Sequence, residues 1–451
     1  MSDLTPEDDL TPEDWQYIAE GGLHVVFGFR GSDSHPFRGC VLRVPKKHPR
    51  VARAKRHLVG LSRALLTPRY SYDSKVVRLP IPFVSALFAR AETHRPAHRL
   101  QEGEPGVLSL GHDDYIEATQ EEDLATSSLP RDAESVQIIS LEIKPKCGLV
   151  DVENLPTRFV MKEKANPDPR FAQRSAYNPA DFHSLDASRF QRALMAIMDV
   201  PRNNFRYFNE RRKGQQSSEH QASIPGEKRQ FLLDVLTPIF AGEGETPPLV
   251  GDLLVGLLAA QSWGAGQQKT AEDVYASMTE EDRQKVDPGD SEEAAAIYDQ
   301  AVLSFFNASQ TDLPGLLTVV SPSDVLPHAD NGWNTLQYRH HQAGQAIVRT
   351  PTSSSAAVEW VARYLMARTF MDVSLMVNLA VTPESDESLR DALTSRRYQR
   401  VPYQSGDIEV WYRVMVTDVD LKPAWKISRW RQDLDDILAA YHRDRDGEDV
   451  A

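Results

Sequence analysis

Two lysines stand two residues apart in Leu141-Glu142-Ile143-Lys144-Pro145-Lys146-Cys147-Gly148, at the end of an apolar, β-prone run that starts at Val136. An unpaired ammonium is costly in an apolar setting, so these lysines are expected where the strand leaves the core. Side chains alternate along an extended backbone, which predicts that Lys144 and Lys146 face the same way, with Pro145 removing a ladder donor between them. Two co-facing ammoniums suit a polyanion; a solvated basic strand end accounts for the same pattern. Acids appear in two other places. Asp372 is the lone carboxylate of Met371-Asp372-Val373-Ser374-Leu375-Met376-Val377, and it is either a helix cap or a functional acid that must be paired. Asp418 and Asp420 follow the strand run Glu409–Val416, with Lys422 expected on their face. Carboxylates at a strand end hold Mg²⁺ beside nucleotide phosphates, and they are also ordinary turn residues. In Arg202-Asn203-Asn204-Phe205-Arg206 two amides and two arginines lie among aromatics. That pattern fits a helix end with a left-handed asparagine, or a pocket where arginine grips phosphate.

The elements that must position these residues are partly readable. Thr11-Pro12-Glu13-Asp14 is a helix-start signature. Glu20-Gly21-Gly22 leads into the strand His24–Phe29, and Gly39–Pro45 forms a second strand carrying Arg43. Such a glycine turn lets backbone N–H groups approach phosphate, although Gly-Gly hairpin turns are common. Residues 46–68 read as a basic helix, 101–135 as an acidic surface excursion or linker, and 187–200, 230–263, 269–310 and 356–371 as helical. The charged 269–300 stretch reads as a solvated helical insertion. Residues 211–225 and 241–247 are loops by composition.

Composition narrows the function classes. The 451 residues with 41% hydrophobic content can supply a sizeable core. Lys and Arg total 51 against 65 Asp and Glu, a net charge of −14. This argues against binding nucleic acid or an anionic membrane by bulk charge, so any anion site is local. Cys40 and Cys147, the only cysteines, fit a reducing compartment and are too few for a Cys-rich zinc site. With no long apolar run and an acidic N-terminus, the expectation is a soluble intracellular protein.

Four motifs in order, Glu142–Gly148, Arg202–Arg206, Met371–Met376 and Asp418-Val419-Asp420-Leu421-Lys422-Pro423, resemble those of the inositol pentakisphosphate 2-kinases. Glu20-Gly21-Gly22 is similar to a variant of that family's glycine turn, and Tyr177–Phe182 to its Tyr-x-Pro-x-Asp segment. The resemblance implies transfer of the ATP γ-phosphate to the 2-hydroxyl of inositol pentakisphosphate, with ATP and Mg²⁺ as cofactors. It implies an α+β fold distantly similar to a protein kinase, with a β-rich N-lobe (1–135) and a larger mixed C-lobe (136–451) that carries the helical insertion near 269–310. The enzyme is then expected to be a monomer of the nucleus or cytoplasm, taking no nucleic acid and no membrane. By the same resemblance Lys144 bridges the γ-phosphate and the acceptor hydroxyl, Asp372 orients or deprotonates that hydroxyl, and Asp418 holds Mg²⁺. Lys146, Arg158, Lys164, Asn203, Asn204, Arg206, Lys422 and Lys426 would grip substrate phosphates, while Gly21, Gly22, Arg43 and Glu142 serve the nucleotide. The Cys/His zinc site of some relatives has no cysteines here, so no structural zinc is expected. A binder without turnover, or a kinase for a less phosphorylated inositol, are the competing readings; Lys144, Asp372 and Asp418 together speak against the first.

Overall fold

A computed structural model describes residues 11–20, 24–46, 68–95, 115–122, 136–149, 155–165, 173–209, 224–286, 351–419 and 422–448, apart from a few positions within these ranges and Ile297 in addition to them. Gly21 and Gly22, most of the basic 46–68 segment and nearly all of 287–350 lie outside the described residues.

Two five-stranded antiparallel sheets organise the chain, which is a mixed α+β protein. The first is built from β1 (Trp15–Glu20), β2 (His24–Phe29), β3 (Cys40–Pro45), β4 (Ser74–Pro80) and β5 (Tyr115–Glu122), in the order β1-β2-β3-β5-β4. Helix α1 (Ile81–Ala91) covers it, and Phe83, Val84, Leu87 and Phe88 pack on Val25, Phe27, Leu42 and Val44. Strand β5 corrects the linker reading of 101–135. Its backbone pairs with β3 on one side and β4 on the other, with Ala118 fully buried. Acidic composition concealed it because a strand needs backbone partners more than apolar side chains. Thr11 also departs from expectation. It precedes a single 3₁₀ turn, Pro12–Asp14, and its hydroxyl donates to the Asp14 carboxylate instead of capping a backbone N–H.

The second sheet contains β6 (Gln137–Ile143), β7 (Phe205–Asn209), β8 (Ser374–Pro383), β9 (Gln399–Arg400) and β10 (Ile408–Thr417), in the order β7-β6-β8-β10-β9. The helices are α2 (Arg158–Ala165), the one-turn α3 (Pro179–Phe182), α4 (Ala187–Asp199), α5 (Gly226–Phe240), α6 (Gly251–Ser262), α7 (Gln268–Ser277), α8 (Glu280–Val286), α9 (Ser354–Phe370), α10 (Glu387–Ser395) and α11 (Ile427–Glu448). In α4, Phe190, Ala193, Leu194, Ile197 and Met198 form one buried stripe at helical spacing. The Asp186 side chain accepts from the Arg189 N–H and caps that helix. This stripe, with α5 and α6, joins Leu141, Ile143, Leu375, Val377 and Leu379 in the main core. At about 1.5–3 kcal/mol per buried large apolar side chain, this core fixes β6 and β8 firmly.

The solvated-insertion reading of 269–300 fails for its described part. Ala271 and Val274 of α7, Met278 just after it and Val286 of α8 pack against Val358, Val361 and Leu365 of α9. Charged residues dominate the composition, but a 3.6-residue stripe of a few apolar positions suffices to seat a short helix.

Candidate active site

Antiparallel pairing in the second sheet decides where the chemistry-bearing residues meet. Ile143, the last residue of β6, lies opposite Phe205 at the start of β7 and Leu375 near the start of β8. Ser374, the first of β8, lies opposite Thr417, the last of β10. Segments 144–148, 202–204, 371–373 and 418–419 therefore gather at one edge of one sheet.

Three carboxylates there are bound by cations. Asp418 Oδ2 accepts from Lys144 Nζ at 2.5 Å and from the Ser374 hydroxyl at 2.8 Å, while Arg43 of β3 approaches Oδ1 at 3.5 Å. The last contact joins the two sheets. Asp372 takes Lys146 Nζ at 2.8 Å on one oxygen and Lys422 Nζ at 3.3 Å on the other. Glu142, buried in β6, accepts from the Ser374 hydroxyl at 2.9 Å and from its cross-strand neighbour Arg206 at 3.0 Å, and Lys144 Nζ lies 3.6 Å away.

The electrostatics follow. Burial works against the Lys144 ammonium, but Asp418 and Glu142 outweigh it and raise its pKa above the ordinary value. Burial likewise opposes ionisation of Asp372, and Lys146 and Lys422 override it, holding this carboxyl far below the usual range. Lys426 is lowered, first by burial and then by repulsion from Lys422 and Arg429, with Asp372 pulling the other way. Among the described residues, six cationic side chains (Arg43, Lys144, Lys146, Arg206, Lys422, Lys426) thus stand around three carboxylates, three positive charges in excess. An otherwise acidic chain concentrates positive charge at this sheet edge.

Strand alternation does not place Lys144 and Lys146, which reach different acids, Asp418 and Asp372. β6 ends at Ile143, and Lys146 adopts a left-handed φ of 59°. Instead, buried side chains hold the backbone that follows the strand. The Tyr177 hydroxyl donates to the Pro145 carbonyl at 2.8 Å, and His183 Nε2 contacts the Lys146 carbonyl at 3.2 Å. The Gln261 amide nitrogen donates to the carbonyls of Phe370 at 3.1 Å and Lys146 at 3.5 Å, and its oxygen accepts from the Gly148 N–H at 3.3 Å. Gly148 must be glycine, because a Cβ there would lie 2.6 Å from the His183 ring. Asp418 is also left-handed, with φ 58°, so the backbone is not extended there as the expected alternation requires; Asp420 lies outside the described residues.

In the 202–206 motif the left-handed residue is Arg202 (φ 52°), not an asparagine. Its guanidinium is buried on Glu163 at 2.7 Å, which removes it as a free phosphate grip. Asn203 is exposed and Asn204 is buried, so the adjacent amides do not share a face. The Asn204 carboxamide has no partner among the described residues, a deficit of about 1–3 kcal/mol that a water or ligand atom would remove. Arg158 and Lys164, both on α2, meet α11: Arg158 lies 3.6 Å from Asp433, and Lys164 sits over the Tyr441 ring at 5.9 Å. Both of these contacts are with α11. Trp430, also on α11, lies under the Arg368 guanidinium at 4.7 Å.

Ser374 and Gln261 were not singled out by sequence. A serine in an apolar run carries no signal, whereas a lone glutamine near the end of the apolar helix Gly251–Ser262 was one that could have been used. For a divalent cation the donor set suits magnesium, which takes one or two carboxylates and completes its shell with phosphate oxygens. Asp418 and Glu142 lie on one hydroxyl, and among the described residues no group of three or more acidic, His or Cys ligands forms a dedicated metal cage.

A family model described as inositol-pentakisphosphate 2-kinase matches residues 17–436. A Cryptococcus neoformans protein named inositol-pentakisphosphate 2-kinase is 25% identical over 456 residues, covering 95% of this chain and 93% of that one. Proteins of the same name from Danio rerio (26% identical, 45% of this chain and 44% of the relative) and Arabidopsis thaliana (24%, 43% and 51%) match over about half of each chain.

Proposed function

The chain belongs to the inositol-pentakisphosphate 2-kinase family, and from that premise we propose that it transfers the γ-phosphate of ATP to the axial 2-hydroxyl of inositol pentakisphosphate, giving ADP and inositol hexakisphosphate. The observation that carries this reading is the excess of cations around Asp372 and Asp418 at one sheet edge. A substrate bearing five phosphates needs several cations in one place, and phosphoryl transfer is mainly positioning and charge neutralisation.

Substrate phosphates compete with Asp372 for Lys146 and Lys422. As the phosphates draw these ammoniums away, the Asp372 carboxylate becomes available to the 2-hydroxyl and accepts its proton while the oxygen bonds to the γ-phosphorus. The bond from that phosphorus to the ADP oxygen breaks, and Lys144 neutralises charge on the phosphoryl group in transit. Arg43 and Glu142 serve the nucleotide side; Lys426 and Arg206 add to the field on the substrate. Asp418 is the residue that would hold Mg²⁺, which when bound would supply charge neutralisation to the nucleotide phosphates. The same reading makes the protein a monomeric intracellular enzyme.

The test is incubation with ATP, Mg²⁺ and inositol pentakisphosphate, followed by separation of the products. Wild type forms hexakisphosphate, and Asp372→Asn lowers kcat by about 10²–10⁴-fold, the usual reach of a lost general base. Binding of the pentakisphosphate without any hexakisphosphate formed by wild type rejects the kinase reading.

A further inference from the structure

Ser374 is fully buried at the first position of β8, two residues after Asp372. Its hydroxyl lies 2.8 Å from Asp418 Oδ2 and 2.9 Å from Glu142 Oε1. A serine has one proton to donate, so this hydroxyl hydrogen-bonds one acid at a time, and its oxygen stands between Glu142 of β6 and Asp418 just after β10. The backbone is tied as well, since the Thr417 hydroxyl donates to the Ser374 carbonyl at 3.4 Å. These contacts matter at Asp418 because its left-handed φ of 58° is unfavourable for a residue with a Cβ and needs surrounding structure to hold it. Lys144 is the other strong contact on that carboxylate, and in the phosphoryl-transfer reading it is the one drawn toward phosphate.

We propose that Ser374 is a positioning residue that sets the Asp418 carboxylate, and with it Glu142, for the metal–nucleotide complex. The proposal rests on the kinase reading for the identity of the ligand. Ser374 itself touches neither metal nor phosphate; it acts through the two acids, as the hydrogen-bond partners of metal ligands do elsewhere. A hydroxyl serving only to fill space would leave the magnesium requirement unaffected when replaced.

The experiment measures ADP binding by calorimetry across a magnesium titration, using the full chain, for wild type, Ser374→Ala and Ser374→Cys. The cysteine variant keeps the side chain's shape while replacing the hydroxyl with a weak donor, so the test does not depend on the alanine variant folding well. Half-saturating Mg²⁺ is expected to rise about tenfold or more in both variants, with pentakisphosphate binding unchanged. An unaltered magnesium requirement in the variants, against a magnesium-dependent wild type, overturns the role of Ser374 alone. Indifference of wild-type ADP binding to magnesium overturns the metal reading of Asp418, and the Ser374 role with it.

Discussion

Lys144 keeps its charge in a half-enclosed site because two carboxylates stand beside it. Its removal therefore has two effects, loss of a cation from the phosphoryl path and release of two acids to repel each other. Lys144→Ala is expected to lower kcat by about 10²–10³-fold, comparable to losing one donor to a developing charge. Lys144→Arg should restore little, since a planar guanidinium cannot take the place of a compact ammonium; steady-state kinetics of both variants checks this. His183 makes a separate prediction about pH. Burial pushes its imidazole from 6.5 down to about 4, against a smaller opposing effect of the hydrogen bond to Lys146. The unfolded chain then binds a proton between those values that the folded chain does not. This contribution to stability is whole above pH 6.5 and fades as pH falls toward 4, for a total of about 3 kcal/mol. Denaturant midpoints at pH 7.5 and 5 should show the loss in wild type and a flatter dependence in His183→Gln. At this scale the sequence was legible wherever a charge had to be explained. Lys144, Lys146, Asp372 and Asp418 stood out by type and setting; Asn204 stood out too, but its burial was not legible, and Ser374 gave no signal, because neutral polar residues reveal their partners only once the chain is folded.

Among elements, the one that most affects the site is the stretch after β6, where regular structure stops. Strand alternation was the wrong physical reason for the arrangement of Lys144 and Lys146. Three buried side chains, Tyr177, His183 and Gln261, fix the carbonyls and the N–H of residues 145–148 instead. Gln261 also reaches Phe370 at the end of α9, two residues before Asp372. It thus sets the distance between the lysine loop and the proposed base. Gln261→Leu leaves buried backbone groups without partners, at a cost of about 1–3 kcal/mol. Thermal melts should register that loss, and kinetics should show kcat falling while ATP binding persists. Strands β6 and β10 and helices α4 and α9 were readable from apolar runs and stripes, while the apolar run that becomes β8 was not assigned to a strand. β5 and the seating of α7 and α8 were not readable, since charged residues dominated their composition and the deciding contacts came from remote neighbours.

Taken whole, the molecule carries a net charge of −14 yet concentrates six cationic side chains at one edge of its second sheet. Such a contrast attracts a polyanion locally while the remaining surface repels it, and salt weakens both effects. Apparent affinity for inositol pentakisphosphate is expected to fall severalfold between about 50 and 300 mM salt, with ATP affinity falling less because fewer charges are involved; binding titrations at several salt concentrations decide this. The gathering of four chain segments at that edge also has a consequence in time. Arg43 and Asp418 are 375 residues apart, Lys144 and Asp418 are 274 apart, and Lys146 and Asp372 are 226 apart. Contacts of such separation close late, after their loop entropy has been met by other parts of the fold. During synthesis Glu142 has its partners once Ser374 is made, but the ribosome must release β10 and the segment after it before Asp372 meets Lys422 or Asp418 is present at all. A product truncated before β10 lacks Asp418 and Lys422, and it is expected to form no hexakisphosphate in the product assay.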